Sequence, residues 1–148
     1  MQYADDVTIT FASLSKNELL ARSFAAAYAA QFDPTVRELE DIKTAISEAV
    51  TNVVVHAYPD RIGQVELHFS SQGDVLTMEV TDRGVGISDI QAAREPMFTT
   101  KPEQERSGLG FTVMEAFMDE LCISSVSNEG TTVTMRKRID QKRSMDMA

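Results

Sequence analysis

Two short glycine-rich turns constrain this chain more than any other feature of its sequence. The first is the run DRGVG at positions 82–86, which follows the alternating strand pattern of residues 75–81. The second is the run SGLG at positions 107–110, which leads into a helical pattern over residues 111–118. Glycine lets a ligand approach the backbone closely, and N–H groups at a helix N-terminus favour phosphate. The pattern therefore predicts a nucleotide site with a lid between two glycine turns.

Length and composition are those of one globular domain. The 148 residues are 43% hydrophobic and 25% charged, which is typical of such domains. We expect the domain to span residues 1–139 and a polar, disordered tail to span residues 140–148. No apolar run approaches the roughly 20 residues that a membrane helix needs. Cys122 is the only cysteine, which fits a reducing cytoplasm, and we expect it to be buried as a small hydrophobe.

The acidic balance limits the classes of partner. A net charge of −9 argues against a broad nucleic-acid face, because phosphate backbones are bound by stripes of Lys and Arg. The basic run RKR at positions 136–138 is most simply a solvated strand end. A polyphosphate ligand would need local cations or a metal ion.

The order of elements predicts the fold class. Hydrophobic periodicity indicates strands at 7–11, 62–70, 75–81, 121–126 and 131–137, and helices at 16–32, 34–56 and from Ser107 or Gly108 to 119. This order is typical of an α/β (α+β) two-layer sandwich, in which a mixed, mainly antiparallel sheet of about five strands carries its helices on one face. The other face would be exposed or used for association, which suggests a homodimer.

Local signals predict several details. Four residues should lie near one face of the first helix, namely Leu19, Leu20, Phe24 and Tyr28. Asp33 should cap the second helix, with Pro34 in its first position, and Ser88 should cap a short helical turn.

His56 should interact with the last carbonyls of the second helix. His68 alternates with apolar residues on a strand and should face outward.

Glu48 and Asn52 lie four residues apart on the second predicted helix and project from the same face. A solvated helical stripe is one interpretation. Asn, however, is a poor mid-helix residue, and here its neighbours are apolar, so its amide needs a partner. A Mg²⁺ ion is one such partner, because amide and phosphate oxygens are suitable hard ligands.

Three motifs occur in order: Glu-x-x-x-Asn on a helix, Asp-x-Gly-x-Gly after a strand, and Gly-x-Gly opening a helix. They resemble the N, G1 and G2 boxes of the GHKL (Bergerat-fold) ATP-binding superfamily. Within it, EAVTN at 48–52, PMFTTKPE at 96–103 and RSGLGF at 106–111 resemble the anti-sigma serine kinases of spore-forming bacteria. The similarity runs from about residue 11 to residue 137.

The resemblance implies a role for each matching position. Glu48 would be the general base on a serine hydroxyl, Asn52 would coordinate Mg²⁺ at the ATP phosphates, and Asp82 would accept a hydrogen bond from the adenine amino group. Arg22, by spacing alone a snorkelling surface arginine, would lie at the partner-binding surface. The remaining contacts to ATP or ADP would be made by Gly84, Gly86, Thr99, Thr100, Lys101, Arg106, Ser107, Gly108, Leu109 and Gly110.

The resemblance also implies a function. The chain would inhibit a sporulation sigma factor, and it would use Mg-ATP to phosphorylate a serine of an anti-anti-sigma protein. It would be a cytoplasmic homodimer without direct contacts to nucleic acid or membrane. The alternatives are a general-stress anti-sigma serine kinase and a nucleotide-gated sigma-binding module without transfer chemistry. A sensor histidine kinase and a DNA-topology or mismatch-repair ATPase are disfavoured, because we see no phosphoacceptor helical domain and no transducer domain.

Overall fold

Strands and helices follow one another in the order that the sequence predicts. The computed structural model describes residues 6–94 and 110–139. These residues form β1 (Val7–Ala12), α1 (Asn17–Ala30), α2 (Val36–Asn52), a π-helical turn (Val53–Ala57), β2 (Gln64–Gln72), β3 (Val75–Asp82), α3 (Ile90–Ala93), α4 (Gly110–Phe117), β4 (Glu120–Val126) and β5 (Gly130–Arg138). The predicted tail and the predicted helix start at Ser107 or Gly108 lie outside them. Among the helices of this part, none is both long and apolar enough to cross a membrane.

The strands form one sheet in the order β1-β2-β3-β5-β4. The sequence predicts a mixed, mainly antiparallel sheet, and every pairing between these strands is antiparallel. The short β2–β3 and β4–β5 connections allow only antiparallel hairpins. β4 takes the sheet edge, so β5 lies beside β3, with Val80 opposite Val133. The prediction of a two-layer sandwich is confirmed.

Alternating burial along the strands defines the core. One face of the sheet packs against α1, α2 and α4. Its central strands contribute Val65, Leu67, Phe69, Leu76, Met78, Val80, Val133 and Met135, all of them buried. From the helix layer, Ile42 and Ile46 of α2 are fully buried against this face. Removal of this apolar surface from water is the main force that holds the two layers together.

The opposite face of the sheet is polar. Glu66, His68 and Thr77 are half-buried there, and so is Thr132, which agrees with the prediction of an outward-facing His68. The prediction that Cys122 is buried is wrong, because its side chain is exposed. β4 is an edge strand, and its alternation turns this residue away from the helices.

Helix α1 buries small side chains. Ala21, Ala25 and Ala29 are at most 1% exposed, and their spacing of four residues places them on one face of the helix. Tyr28 is also buried, and its ring stacks on Phe69 with centroids 5.5 Å apart. The alanines let α1 lie close to its neighbours, and Tyr28 fills the space above β2.

The other predicted members of that face are on the outside of α1. Leu19, Leu20 and Phe24 are 65%, 42% and 39% exposed, whereas Tyr28 is buried, so the four side chains do not form one buried face. Periodicity shows which apolar side chains share a face of a helix, but it does not show which of two apolar faces is buried. The alanine stripe permits the closer approach to α2, and the larger side chains therefore remain at the surface.

The N-cap residues of α2 and α3 differ from those that the sequence predicts. Thr35, not Asp33, begins α2: its hydroxyl accepts from the Glu38 N–H at 3.1 Å, and the Glu38 carboxylate accepts from the Thr35 N–H at 2.8 Å. This reciprocal box satisfies two N–H groups that the helix leaves unpaired, and Asp33 adopts a positive φ of 55° before it. Asp89, not Ser88, caps α3.

The His68 cluster on the polar face should make stability depend on pH. Its Nδ1 lies 3.0 Å from Glu79 Oε1, and its Nε2 lies 3.5 Å from Asp6 Oδ2. The hydrogen bond with Glu79 is the main cause of a raised His68 pKa, which burial partly opposes. A raised folded-state pKa stabilises the protein below the unfolded pKa of 6.5, and this contribution is lost as pH rises through the folded-state value.

We therefore expect the free energy of unfolding of the wild type to fall between about pH 6 and pH 8 as His68 loses its proton. The His68→Gln variant should lack this part of the fall. Urea unfolding of both proteins across this range measures the difference. Identical pH profiles for the two proteins would contradict this expectation.

Candidate functional site

A cavity of about 180 Å³ lies between the end of α2 and the loop that follows β3. α3, the first turn of α4 and β5 complete its walls, and most of the lining is apolar. Among the residues that line it are Asn52, Asp82, Gly86 and Gly110, one or more from each of the three motifs. Motifs far apart in the sequence therefore meet at one cavity.

Asp82 is a buried residue in the lining of this cavity. It is the last residue of β3, opposite Thr131 of β5, and it is 6% exposed. Its Oδ1 accepts the Gly84 N–H at 2.9 Å, and the backbone N–H of Thr131 also donates to the carboxylate. Burial raises the pKa of Asp82, and the two backbone donors oppose that rise. The result is an oriented acceptor in apolar surroundings, where a ligand N–H would bind strongly.

The loop after β3 depends on two glycines. Any Cβ at Gly84 would overlap the carbonyl oxygen of Ala57, and the same oxygen accepts the Val85 N–H at 2.9 Å. Gly86 has a φ of 76°, and a Cβ there would press on the Val126 carbonyl. The loop consequently lies against the end of α2 on one side and the β4–β5 hairpin on the other.

The end of α2 is a π-helical turn, Val53–Ala57. Such turns are often found at functional sites. The turn brings Asn52, Val53, His56 and Ala57 to the cavity together. The contact of His56 with the last carbonyls of the helix stays a prediction, and the structure places this residue in the cavity wall. Sequence reasoning did not identify it as a site residue, and its spacing of four from Asn52 was the available signal.

Asn52 and Gly110 are in direct contact. A Cβ at Gly110 would lie 3.0 Å from Asn52 Oδ1 and 3.1 Å from its Nδ2, so the second glycine turn ends against the helix amide. Glu48 is half-buried one turn earlier on α2, outside the cavity lining. In residues 6–94 and 110–139, no three His, Cys, Asp or Glu side chains gather to hold a metal ion.

Several predicted site residues cannot be placed. Residues 95–109 lie outside the described part, and they include Thr99, Thr100, Lys101, Arg106, Ser107, Gly108 and Leu109. Their contacts stay predictions. Arg22 is not in the cavity lining; it is 42% exposed on α1, with its guanidinium 3.9 Å from Glu18.

Apolar side chains form much of the cavity wall, and a hydroxyl supports the loop beside it. Ile87, Phe111 and Val133 supply apolar walls, and Ser125 holds the loop by accepting the Ile87 N–H at 2.7 Å. The Ser125 hydroxyl also lies 2.9 Å from that of Thr131. Of these residues, Val133 and Thr131 reach the cavity through pairing of β5 with β3, which no local pattern predicts.

Comparison with known proteins identifies the family. Residues 11–137 match the model of the histidine kinase-like ATPase domain. An anti-sigma F factor of Thermoanaerobacter sp. (strain X514) is 50% identical over 139 residues, which cover 94% of this chain and 97% of that protein. An anti-sigma F factor of Geobacillus kaustophilus (strain HTA426) is 48% identical over 142 residues, with 95% and 97% covered.

The fold also resembles a solved structure. The histidine kinase domain of the Erythrobacter litoralis EL346 blue-light activated histidine kinase superposes with a TM-score of 0.58 at 19% identity. The match covers 84% of this chain and 64% of that one, and at this identity it shows the fold alone. With a cavity at which all three motifs meet and relatives of this similarity, the chain belongs to the anti-sigma F factor family of histidine kinase-like ATPase domains.

Proposed function

We propose that this chain binds and inhibits a sporulation sigma factor and transfers a phosphoryl group from ATP to a serine of an anti-anti-sigma protein. The observation that carries the proposal is the cavity whose lining includes the buried Asp82 and in which Asn52 contacts Gly110. Such a cavity suits a ligand with a flat, hydrogen-bonding base and a polyphosphate. Family membership supports both the inhibitor and the kinase activity.

Adenine would occupy the Asp82 end. The apolar side chains of Ile87, Phe111 and Val133 line the cavity and would cover the faces of the ring. Asp82 would accept a hydrogen bond from its amino group, and Gly86 would leave room for its edge. ATP and ADP share this base, so both would bind.

The phosphates would extend past Asn52 towards the start of α4. Asn52 would supply an amide oxygen to Mg²⁺, and when bound the ion would neutralise phosphate charge during transfer. Backbone N–H groups at Gly108 and Gly110 would face the phosphates, together with Ser107 and Leu109. Thr99, Thr100, Lys101 and Arg106 would form the lid, where the two basic side chains compensate negative charge in this acidic protein.

Glu48 would act as the general base. It precedes Asn52 by one helical turn and is not part of the cavity lining. As the serine oxygen bonds to the γ-phosphorus, the Glu48 carboxylate takes the hydroxyl proton, and the bond to the β–γ bridging oxygen breaks to release ADP. Phosphoryl transfer needs mainly this in-line positioning and charge compensation from the protein.

Protein partners would bind at α1. Its outer side exposes the apolar side chains of Leu19, Leu20 and Phe24. Arg22 lies on the same helix and is 42% exposed. An exposed apolar patch with an arginine is typical of protein interfaces, which supports a role for Arg22 in binding the sigma factor or its antagonist.

A homodimer would use the polar face of the sheet, which the described helices leave uncovered. The basic side chains of β5 are paired: Arg136 with Glu120, Lys137 with Asp41 and Arg138 with Asp74. With a net charge of −9, this pairing supports the absence of direct nucleic-acid contacts. A cytoplasmic location follows from a sigma factor as partner.

Glu48→Gln should retain ATP binding and lose phosphorylation of the anti-anti-sigma protein by about 10²–10⁴-fold, the usual value of general-base assistance. Transfer from labelled ATP measures the rate. Glu40→Gln, on the same helix and paired with Lys43, is the matched control and should react as the wild type does. Unchanged transfer by the Glu48 variant would reject the assigned role. If the wild type itself binds ATP and the sigma factor without transfer, the chain is a nucleotide-gated binding module.

Asn52→Ala should weaken ATP binding in the presence of Mg²⁺ and change it little in excess chelator, because only the metal-bound complex uses the amide oxygen. Calorimetric titration under both conditions measures the difference. Thr51→Ala, the preceding position, serves as control. An Asn52 variant with the wild-type dependence on Mg²⁺ would refute the assignment.

Gly84→Ala should lower both stability and ATP affinity, because its Cβ would overlap the Ala57 carbonyl; overpacking typically costs about 1–3 kcal/mol. Gly73→Ala is the control. Its φ of 61° is strained for alanine, but open space surrounds it, so it should lose stability and keep its affinity. Thermal unfolding and ATP titration separate the two effects. Full ATP affinity in the Gly84 variant would show that the loop does not form the adenine site.

A further inference from the structure

Three consecutive N–H groups in the loop after β3 each have an acceptor. The Arg83 N–H donates to the Tyr58 hydroxyl at 2.8 Å, the Gly84 N–H donates to Asp82 Oδ1 at 2.9 Å, and the Val85 N–H donates to a carbonyl of the π-helical turn at 2.9 Å. Two of these acceptors belong to the end of the helical segment that carries Asn52. The loop is therefore tied to that helix at the residues on either side of Gly84.

Tyr58 is itself held firmly. It is 7% exposed, and its hydroxyl donates to the Gln64 carbonyl at 2.7 Å while it accepts from Arg83. Gly63 packs so closely on the ring that a Cβ there would overlap it, and the Arg61 guanidinium lies 5.2 Å from the ring centroid. A buried hydroxyl with both roles in use and a packed ring has little freedom to move.

The hydrogen bond to Arg83 acts on the peptide unit that follows Asp82. That unit presents its N–H to Tyr58, and its carbonyl oxygen packs against Gly130, which has a φ of 127°. The unit is thus restrained from both sides. Because its orientation sets the end of β3, it also sets where the Asp82 carboxylate points.

We propose that Tyr58 is a positioning residue for base recognition: through Arg83 it holds Asp82 in the orientation that accepts the adenine amino group. The inference rests on the proposed function of Asp82. Tyr58 is not among the residues that line the cavity, and its effect passes through the loop. The same contacts link the Asn52 helix to the loop, so the phosphate and base ends of the site keep a constant separation.

Tyr58→Phe removes the hydroxyl and leaves the ring. The unpaired Arg83 N–H should let the loop shift, weakening ATP binding about two- to tenfold, the usual range for one buried hydrogen bond. GTP presents an oxygen where adenine has its amino group, and a less fixed carboxylate would repel it less. The preference for ATP over GTP should therefore fall, while the dependence on Mg²⁺ stays unchanged. Calorimetric titration with ATP and GTP, with and without Mg²⁺, measures all of these.

Tyr28→Phe is the matched control. Tyr28 is 4% exposed, and its hydroxyl lies 3.3 Å from Ser71 Oγ, away from the cavity. This variant also loses a buried hydroxyl, and it should keep the wild-type preference for ATP. Gly63→Ala keeps the Tyr58 hydroxyl but displaces the ring, and it should lower the preference as Tyr58→Phe does.

The Asp82→Asn variant tests the role of Asp82 in binding adenine separately from the role of Tyr58 in positioning Asp82. If it retains the wild-type preference for ATP over GTP, the assignment of Asp82 to adenine fails, and the inference on Tyr58 fails with it. If it loses the preference while Tyr58→Phe and Gly63→Ala both keep it, the adenine site stands and the role of Tyr58 is overturned. The proposal is supported if Tyr58→Phe and Gly63→Ala both lower the preference for ATP over GTP while Tyr28→Phe leaves it unchanged.

Discussion

A carboxylate buried in the wall of a mostly apolar cavity is the constraint around which this structure is organised. Burial disfavours the charged form of Asp82 and raises its pKa. Backbone donors from Gly84 and Thr131 counteract that penalty. Both donors require close approach of backbone to the carboxylate, which is possible only because a glycine follows β3 and because β5 pairs beside it. The loop after β3, the β4–β5 hairpin and the end of the helical segment together hold the Asp82 carboxylate in place.

Helix α2 connects that acceptor to the other end of the site. Its π-helical turn brings Asn52 and His56 to the same cavity and presents the Ala57 carbonyl to the loop. A regular α-helix would place these groups at different angles. The reciprocal cap at the first turn and the fully buried Ile42 and Ile46 hold the helix against the sheet. The same helix therefore stabilises the core and positions the residues of the site.

The sequence predicts different parts of this molecule with unequal success. The order of elements, the two layers and the meeting of the three motifs follow from periodicity and from motif resemblance, and they agree with the structure. The faces of α1 were harder to predict, since alanines rather than Leu19 and Phe24 are buried. Cys122 is exposed because β4 lies at the sheet edge, and Thr35 caps α2 because Glu38 completes a box with it. In each case a competing contact, absent from the local pattern, decided the outcome.

By itself the sequence determined the residue types that can recognise a nucleotide, their order along the chain and the family to which they belong, because these depend on side-chain chemistry and short-range spacing. Only the tertiary structure decided which side chains surround the cavity. Ile87, Val133 and Thr131 line it, and they take their positions from strand pairing and from packing between residues far apart in the chain. Hydrogen bonds and steric contacts of this kind depend on three-dimensional distance, and no local pattern encodes that distance.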